Sequence, residues 1–164
     1  MSARRIAGTA ILAALALIAF LIESLFPPLV LPGAKLGLGN LFVLIALFYY
    51  GGMNAAIVLL VKLLLGNLLT GNLSALMYGL PAGAFALAAE YLLARFVFPR
   101  VSVVAISVFG ACLSNAVQTA VFALVIRSYA ALSYLPYLVL LGILSGAVVG
   151  VALYFILKFL PRRE

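Results

Sequence analysis

The 164 residues are 68% hydrophobic and 8% charged, with a mean hydropathy of +1.37 and a net charge of +7. Soluble domains carry roughly 25% charged residues, so this composition excludes a water-soluble globular protein and makes the bilayer the solvent. The basic residues lie mostly at the ends of apolar segments, which indicates membrane topology rather than nucleic-acid binding. We expect a single transmembrane domain over residues 1–164.

Several residue types that carry chemistry are missing. The sequence has no histidine and no aspartate, and its acids are Glu23, Glu90 and Glu164. Because zinc and magnesium sites need clusters of such ligands, we expect no metal site and no cofactor. Cys112 is the lone cysteine, which excludes a disulfide framework. A catalytic cysteine would also need a base such as histidine, so we expect a protein that is not an enzyme.

Six apolar segments predict an all-α integral membrane bundle of six helices. The predicted helices are Arg5–Phe26, Leu36–Tyr50, Asn54–Leu69, Ala75–Phe96, Val101–Ile126 and Pro136–Leu160. The turn signal "GGMN" separates the second from the third, which favours two short helices over one long broken helix. The first segment lacks a clear small-residue cleavage site and further spans follow it, so we interpret it as a mature helix rather than a signal peptide.

The basic residues predict the orientation in the cell membrane. With the N-terminus inside, seven of them fall on the inner side, whereas Lys35 and Arg127 fall outside. Inner loops are enriched in Lys and Arg, so both termini are predicted to be cytoplasmic. The glycine-rich stretch "LPGAKLGLGN", which ends at Asn40, then lies on the outer side.

Lys62 lies about halfway along the third predicted helix. A lysine near the bilayer centre costs several kcal/mol unless it is paired or hydrated, so we expect it to face the bundle interior. Two interpretations stay open: a structural residue that pairs with Glu23 or with backbone carbonyls, or a cation that contacts a ligand.

A polar stripe marks the fifth helix, at positions i, i+1, i+4 and i+5. Its members are Ser114, Asn115, Gln118 and Thr119. At about 100° per residue these side chains share one face. Such a face serves either helix–helix hydrogen bonding or the binding of a polar ligand, because amides both donate and accept.

The connection after the third helix is also polar, with Asn67 and Asn72, and it leads to Tyr78. A helix cap is the alternative interpretation of Asn72, and an interfacial belt is the alternative for the tyrosines of the outer loops. The glycines and the proline of "MYGLPAG" predict an irregular start to the fourth helix. Glu90 lies toward the inner end of that helix, and we assign it to an internal ion pair or a partner contact rather than to the outer site.

Two helices carry small residues at helical spacing. The first has Ala7, Ala10 and Ala14, and the sixth has Gly142, Gly146 and Gly150. Small residues at such spacing let another helix approach closely. Each face therefore serves either internal packing or the docking of a second protein.

The stretch from about Pro32 to Gly150 resembles the family of small membrane proteins known as heptaprenyl diphosphate synthase component I, or Gx transporters. The strongest part of the resemblance is "PGAKLGLGN", and the second is "LSNAVQ". In "LSNAVQ", Ser114 stands where the family usually has histidine, whereas Asn115 and Gln118 fit its pattern.

That family in turn resembles the S components of energy-coupling-factor (ECF) transporters. The resemblance implies an outward-facing ligand pocket covered by the loop 27–39. It also implies a docking face at Ala7, Ala10 and Ala14 for a transmembrane coupling protein, which joins two ATPase subunits. The candidate ligand-binding residues are Lys35, Asn40, Lys62, Asn67, Asn72, Tyr78, Ser114, Asn115, Gln118 and Thr119.

Two functions follow. The first is a substrate-binding subunit of an ECF-type uptake transporter that binds a small anionic ligand. The second is a non-catalytic membrane accessory of a prenyl diphosphate synthase. Prenyl transfer needs magnesium to neutralise the diphosphate, and a chain without aspartate lacks the usual means of holding it.

Overall fold

The computed structural model describes residues 3–25 and 37–159, and within them the chain is helical without a strand. The helices are α1 Ala3–Leu25, α2 Leu38–Tyr50, α3 Gly52–Leu69, α4 Ser74–Phe96, α5 Val103–Val125 and α6 Leu135–Phe159, with a 3₁₀ turn at Tyr129–Tyr134. Five helices in these ranges are long and apolar enough to cross a membrane, and α2 is a shorter apolar helix. The predicted six-helix, multi-pass membrane protein is confirmed, and the helix ends lie within two residues of those predicted.

The helices pack in two groups that meet at the centre of the bundle. Helices α1, α2 and α3 contact one another, and α5 packs on both α4 and α6. Contacts of α3 with α4, and of α2 with α6, join the two groups. Side chains from α2, α3, α4 and α5 therefore converge in the interior.

Gly51 separates α2 from α3. Its φ of 95° lies in a region that glycine occupies without the steric cost of a side chain. Its N–H donates to the carbonyls of Ala46 and Leu47 at 3.0 and 3.1 Å, which closes the last turn of α2. The prediction of two short helices is confirmed. Because Asn40 and Lys62 each lie 11 residues from Gly51, the hairpin brings them to the same level.

The glycines of α6 form its contact with α5. Gly142, Gly146 and Gly150 are buried. A Cβ atom at Gly146 would lie 2.6 Å from the Cα of Val108, and one at Gly150 would lie 2.7 Å from the Cα of Val104. Of the two uses that the sequence left open for this face, the structure shows internal packing.

The face of helix α1 that packs on the bundle is not the face with the predicted docking alanines. Thr9, Ala13, Ala16 and Phe20 are buried, and the Phe20 ring lies over Gly66 of α3, where a Cβ atom would come within 2.7 Å of its Cε1. Ala7, Ala10 and Ala14, which were predicted to dock a partner, are exposed. They therefore remain available for contacts outside the described bundle.

The start of α4 differs from the expected irregular backbone, because the helix runs without interruption from Ser74 through Pro81. Asn72 accepts hydrogen bonds from the N–H of Ala75 at 3.3 Å and from the hydroxyl of Ser74 at 2.9 Å. Such a side-chain cap satisfies one of the free N–H groups at a helix start. Membrane helices tolerate proline where neighbouring groups satisfy the freed backbone carbonyl.

We expect Gly146→Ala to destabilise the protein by about 1–3 kcal/mol, because the added methyl group overlaps the α5 backbone, which cannot move aside like a side chain. Gly79→Ala is the matched control, since its Cβ atom would meet nothing nearer than Leu63 Cδ2 at 3.9 Å. Thermal unfolding in detergent should show a lower Tm for Gly146→Ala and an unchanged or higher Tm for Gly79→Ala. Equal Tm values for both variants would contradict this description of the α5–α6 contact.

Candidate functional site

Lys62 of α3 points into the bundle and is only 5% exposed. Its Nζ atom donates a hydrogen bond to Oδ1 of Asn40 on α2. The aliphatic part of the side chain passes over Gly39, where a Cβ atom would lie 2.9 Å from Lys62 Cδ and 3.0 Å from the carbonyl oxygen of Ala16. Gly39 thus leaves the space through which the lysine reaches Asn40.

Glu90 of α4 is the acid in the same interior and is 7% exposed. Its carboxylate lies against Gly110 of α5, where a Cβ atom would overlap the carboxylate and lie 2.6 Å from Glu90 Cγ. Lys62 lies on the other side of Asn40, which lines one cavity together with Glu90. Charged groups are stable in such surroundings only when they are paired and hydrogen-bonded, so the opposite charges support each other.

A small cavity of about 20 Å³ lies beside Glu90, between α2, α3, α4 and α5. Its polar lining comes from Asn40, Glu90 and Ser114, and its apolar lining includes Val43 and Leu59. This volume has room for about one water molecule. We call Asn40, Lys62, Glu90 and Ser114 the charged centre. In this conformation it is closed to any larger ligand.

The predicted polar stripe of α5 serves more than one neighbour. Ser114 lines the cavity, whereas Asn115 donates from Nδ2 to the carbonyl oxygen of Leu138 on α6 at 2.7 Å. Thr119 is buried and donates to the carbonyl oxygen of Asn115 at 2.7 Å, and Gln118 is half-buried. The structure therefore brings only Ser114 of this stripe to the charged centre.

The remaining candidates lie toward the predicted outer end. Asn67 is buried and donates to the carbonyl oxygen of Leu63 at 2.8 Å, while Asn72 caps α4 as described above. The ring of Tyr78 packs edge-to-face on Phe122 with centroids 5.6 Å apart. Lys35 and most of the loop 27–39 lie outside the described residues.

Glu23, which we considered as a partner for Lys62, lies at the end of α1. Its Oε1 atom accepts a hydrogen bond of 2.7 Å from the N–H of Leu38 at the start of α2. A negative charge at a helix N-terminus is favourable because of the free N–H groups and the helix dipole. Glu23 therefore stabilises the beginning of α2.

An apolar groove of about 470 Å³ runs between α1 and α3. Ala10 and Ala14 line it on α1, and Ile57, Val61 and Leu65 line it on α3. Both alanines are exposed at its edge. Small residues beside a groove allow a helix of another protein to approach closely.

Sequence reasoning omitted Glu90 from the candidate site and did not identify Gly39 or Gly110. An acid inside an apolar helix is by itself a sign of function, so the signal for Glu90 was present. The two glycines gave no such signal, because their importance depends on which side chain of another helix crosses them. Within the described ranges, no three acid or cysteine side chains lie close enough together to hold a metal ion.

The fold and the charged centre define a polytopic membrane protein with a cation, an acid and an amide inside its helical bundle. A family model described as heptaprenyl diphosphate synthase component I matches residues 12–156. The chain belongs to the heptaprenyl diphosphate synthase component I family, as its sequence led us to expect. No curated protein and no solved structure matches the chain.

The contact between Gly110 and Glu90 can be tested with a double-mutant cycle. We expect Gly110→Ala to destabilise the protein by about 1–3 kcal/mol, because its methyl group displaces the buried carboxylate. In the Glu90→Ala background the same change should cost much less, since the overlapping atoms are gone. Denaturation measurements on the four proteins give the coupling energy, and a coupling near zero would show that the two residues do not meet.

Proposed function

We propose that this protein is the substrate-binding membrane subunit of an ECF-type uptake transporter, and that it captures a small anionic ligand from the outer side. The observation that carries the proposal is the burial of Lys62 at the middle of α3. A cation at that depth is costly and usually marks a ligand or ion pathway. An anionic ligand is the natural partner for it.

The chemistry of the charged centre suits this role. A lysine ammonium group carries a positive charge and three N–H donors, and Lys62 presents this group at Asn40 in the interior. In the proposal, an oxyanion binds to the ammonium group beside Asn40. Because the cavity has a volume of only about 20 Å³, binding requires the helices to separate. In the proposal, the loop 27–39 with Lys35 then closes over the ligand.

The face of α1 that points away from the bundle supports the second half of the proposal, the docking of a coupling protein with its ATPase subunits. Ala7, Ala10 and Ala14 are exposed, and the last two border the apolar groove. The glycine face of α6, by contrast, packs against α5 inside the bundle. Helix α1 thus offers the small-residue face on which a partner helix can pack.

A second candidate function is favoured by the family description, which names a component of heptaprenyl diphosphate synthase. In that case the protein is a non-catalytic membrane accessory that works with another synthase component, and the anion held near Lys62 is a diphosphate. The two candidates differ in the proteins that co-purify: a coupling protein with ATPases, or a soluble synthase subunit.

Replacing Lys62 with methionine tests the binding site. We expect Lys62→Met to lose the co-purifying anion, because the variant keeps the shape of the side chain but removes the charge and the donors. Native mass spectrometry of protein extracted gently from its own membrane measures this loss. Lys158→Met, at an exposed position near the end of α6, is the control. The same anion retained at full occupancy in Lys62→Met would remove Lys62 from the site.

The docking face can be blocked by adding bulk. The double variant Ala10→Leu with Ala14→Leu should retain the ligand but lose its partner proteins, because leucine side chains fill the groove and keep another helix away. The matched control is Ala84→Leu with Ala88→Leu, an exposed pair with the same spacing on α4. Affinity purification followed by mass spectrometry compares the partners. Partners retained by the α1 variant would contradict the docking assignment.

A further inference from the structure

We propose that Glu90 and a bound anion alternate as the neutralising partner of Lys62, so that capture of one negative charge is accompanied by uptake of one proton at Glu90. This inference rests on the proposed anion-binding function. It adds to that function a dependence on pH that is built into the charged centre.

The first support is the position of Glu90. It comes from α4, whereas Lys62 comes from α3 and Asn40 from α2, and all three converge on the same interior. The carboxylate is almost completely shielded, at 7% exposure. Lys62 is hydrogen-bonded to Asn40, and Asn40 and Glu90 line the same small cavity. The two groups are therefore close enough for a change of charge at one to affect the other.

The second support is the space that the fold leaves for the carboxyl group. Gly110 of α5 has no side chain where the carboxylate lies, and the adjoining cavity has room for about one water molecule. Ser114 lines the same cavity. A hydroxyl group both donates and accepts, so Ser114 is suited to either protonation state of Glu90.

The surroundings of Glu90 limit which charges take part. Asn40 faces the cavity from α2, and Ser114 and Gly110 face it from α5, and none of these is charged. Arg95, further along α4, is exposed and donates to the hydroxyl of Tyr91 at 2.8 Å. Among the described residues, Lys62 is thus the other charged side chain that is buried in the interior with Glu90.

The charge balance gives the reason for the linkage. The ionised forms of Lys62 and Glu90 sum to zero. A bound monoanion adds one negative charge in surroundings of low polarity, where an uncompensated charge is strongly unfavourable. A proton taken from water converts the carboxylate to a carboxylic acid and restores neutrality, and no covalent bond to the ligand forms or breaks. The protonated acid can also donate a hydrogen bond to the anion.

Binding should therefore be tighter at low pH. Where Glu90 is ionised in the empty protein and protonated in the complex, the affinity falls by up to about tenfold for each unit rise in pH. Glu90→Gln keeps the shape of the protonated acid without a titrating group. We expect this variant to bind the anion with an affinity that does not change with pH.

The experiment uses the full chain in lipid nanodiscs, with acetate and benzoate as probes, because both are monoanions that do not titrate between about pH 6 and about pH 9. Calorimetry in buffers of different ionisation enthalpy counts the protons taken up with each anion. We expect about one proton for wild type within that range, and none for Glu90→Gln. Arg95→Gln, which removes an exposed charge on the same helix as Glu90, is the control and should behave like wild type.

The possible failures can be told apart. Binding of a probe that releases the same heat in both buffers and keeps the same affinity at every pH would overturn the proton linkage and leave the proposed anion site standing. A pH dependence that persists in Glu90→Gln would overturn the assignment to Glu90. If wild type binds neither probe, the anion site at Lys62 fails, and this inference fails with it.

Discussion

The buried ammonium group of Lys62 imposes the constraint on which the centre of this bundle depends. In hydrocarbon, a cation must be hydrogen-bonded and neutralised by the protein itself. Asn40 meets the first need, and Glu90 is an acid buried in the same interior. The side chains of Lys62 and Glu90 each need space in the packing, which Gly39 leaves for Lys62 and Gly110 leaves for Glu90. The buried lysine thus depends on its neighbours on other helices: Gly39 and Asn40 on α2, Glu90 on α4 and, through Glu90, Gly110 on α5.

The helices of this protein were largely predictable, because their lengths and ends follow from apolar runs and turn residues. Gly51 is an example: its positive φ breaks one apolar stretch into the hairpin of α2 and α3. That hairpin also gives the level of Lys62 relative to Asn40, since both lie 11 residues from the turn. The bond between them was therefore within reach of sequence reasoning, although the sequence alone drew attention to Glu23 instead.

The partners of the other polar residues could not be predicted, because they depend on how helices meet. Ser114 and Asn115 are adjacent on α5, and their spacing suggested one shared surface. In the structure α5 lies between α4 and α6, so that Ser114 lines the cavity with Glu90 whereas Asn115 bonds to α6. Polarity on one side of a helix reveals that partners exist, but it does not say on which neighbour they lie.

The sequence also does not show which of the two small-residue faces packs inside the bundle. Both α1 and α6 carry small side chains three or four residues apart, yet one face is buried and the other exposed. The difference follows from the distances that each residue permits. Glycines on α6 let it approach the Cα atoms of Val104 and Val108, which a Cβ atom would prevent. Among the described residues, α1 packs through Thr9, Ala13, Ala16 and Phe20, whereas Ala7, Ala10 and Ala14 are exposed. Within the described residues, α1 therefore packs on the bundle without burying Ala10 and Ala14, and this exposure is the reason for proposing a contact with a partner there.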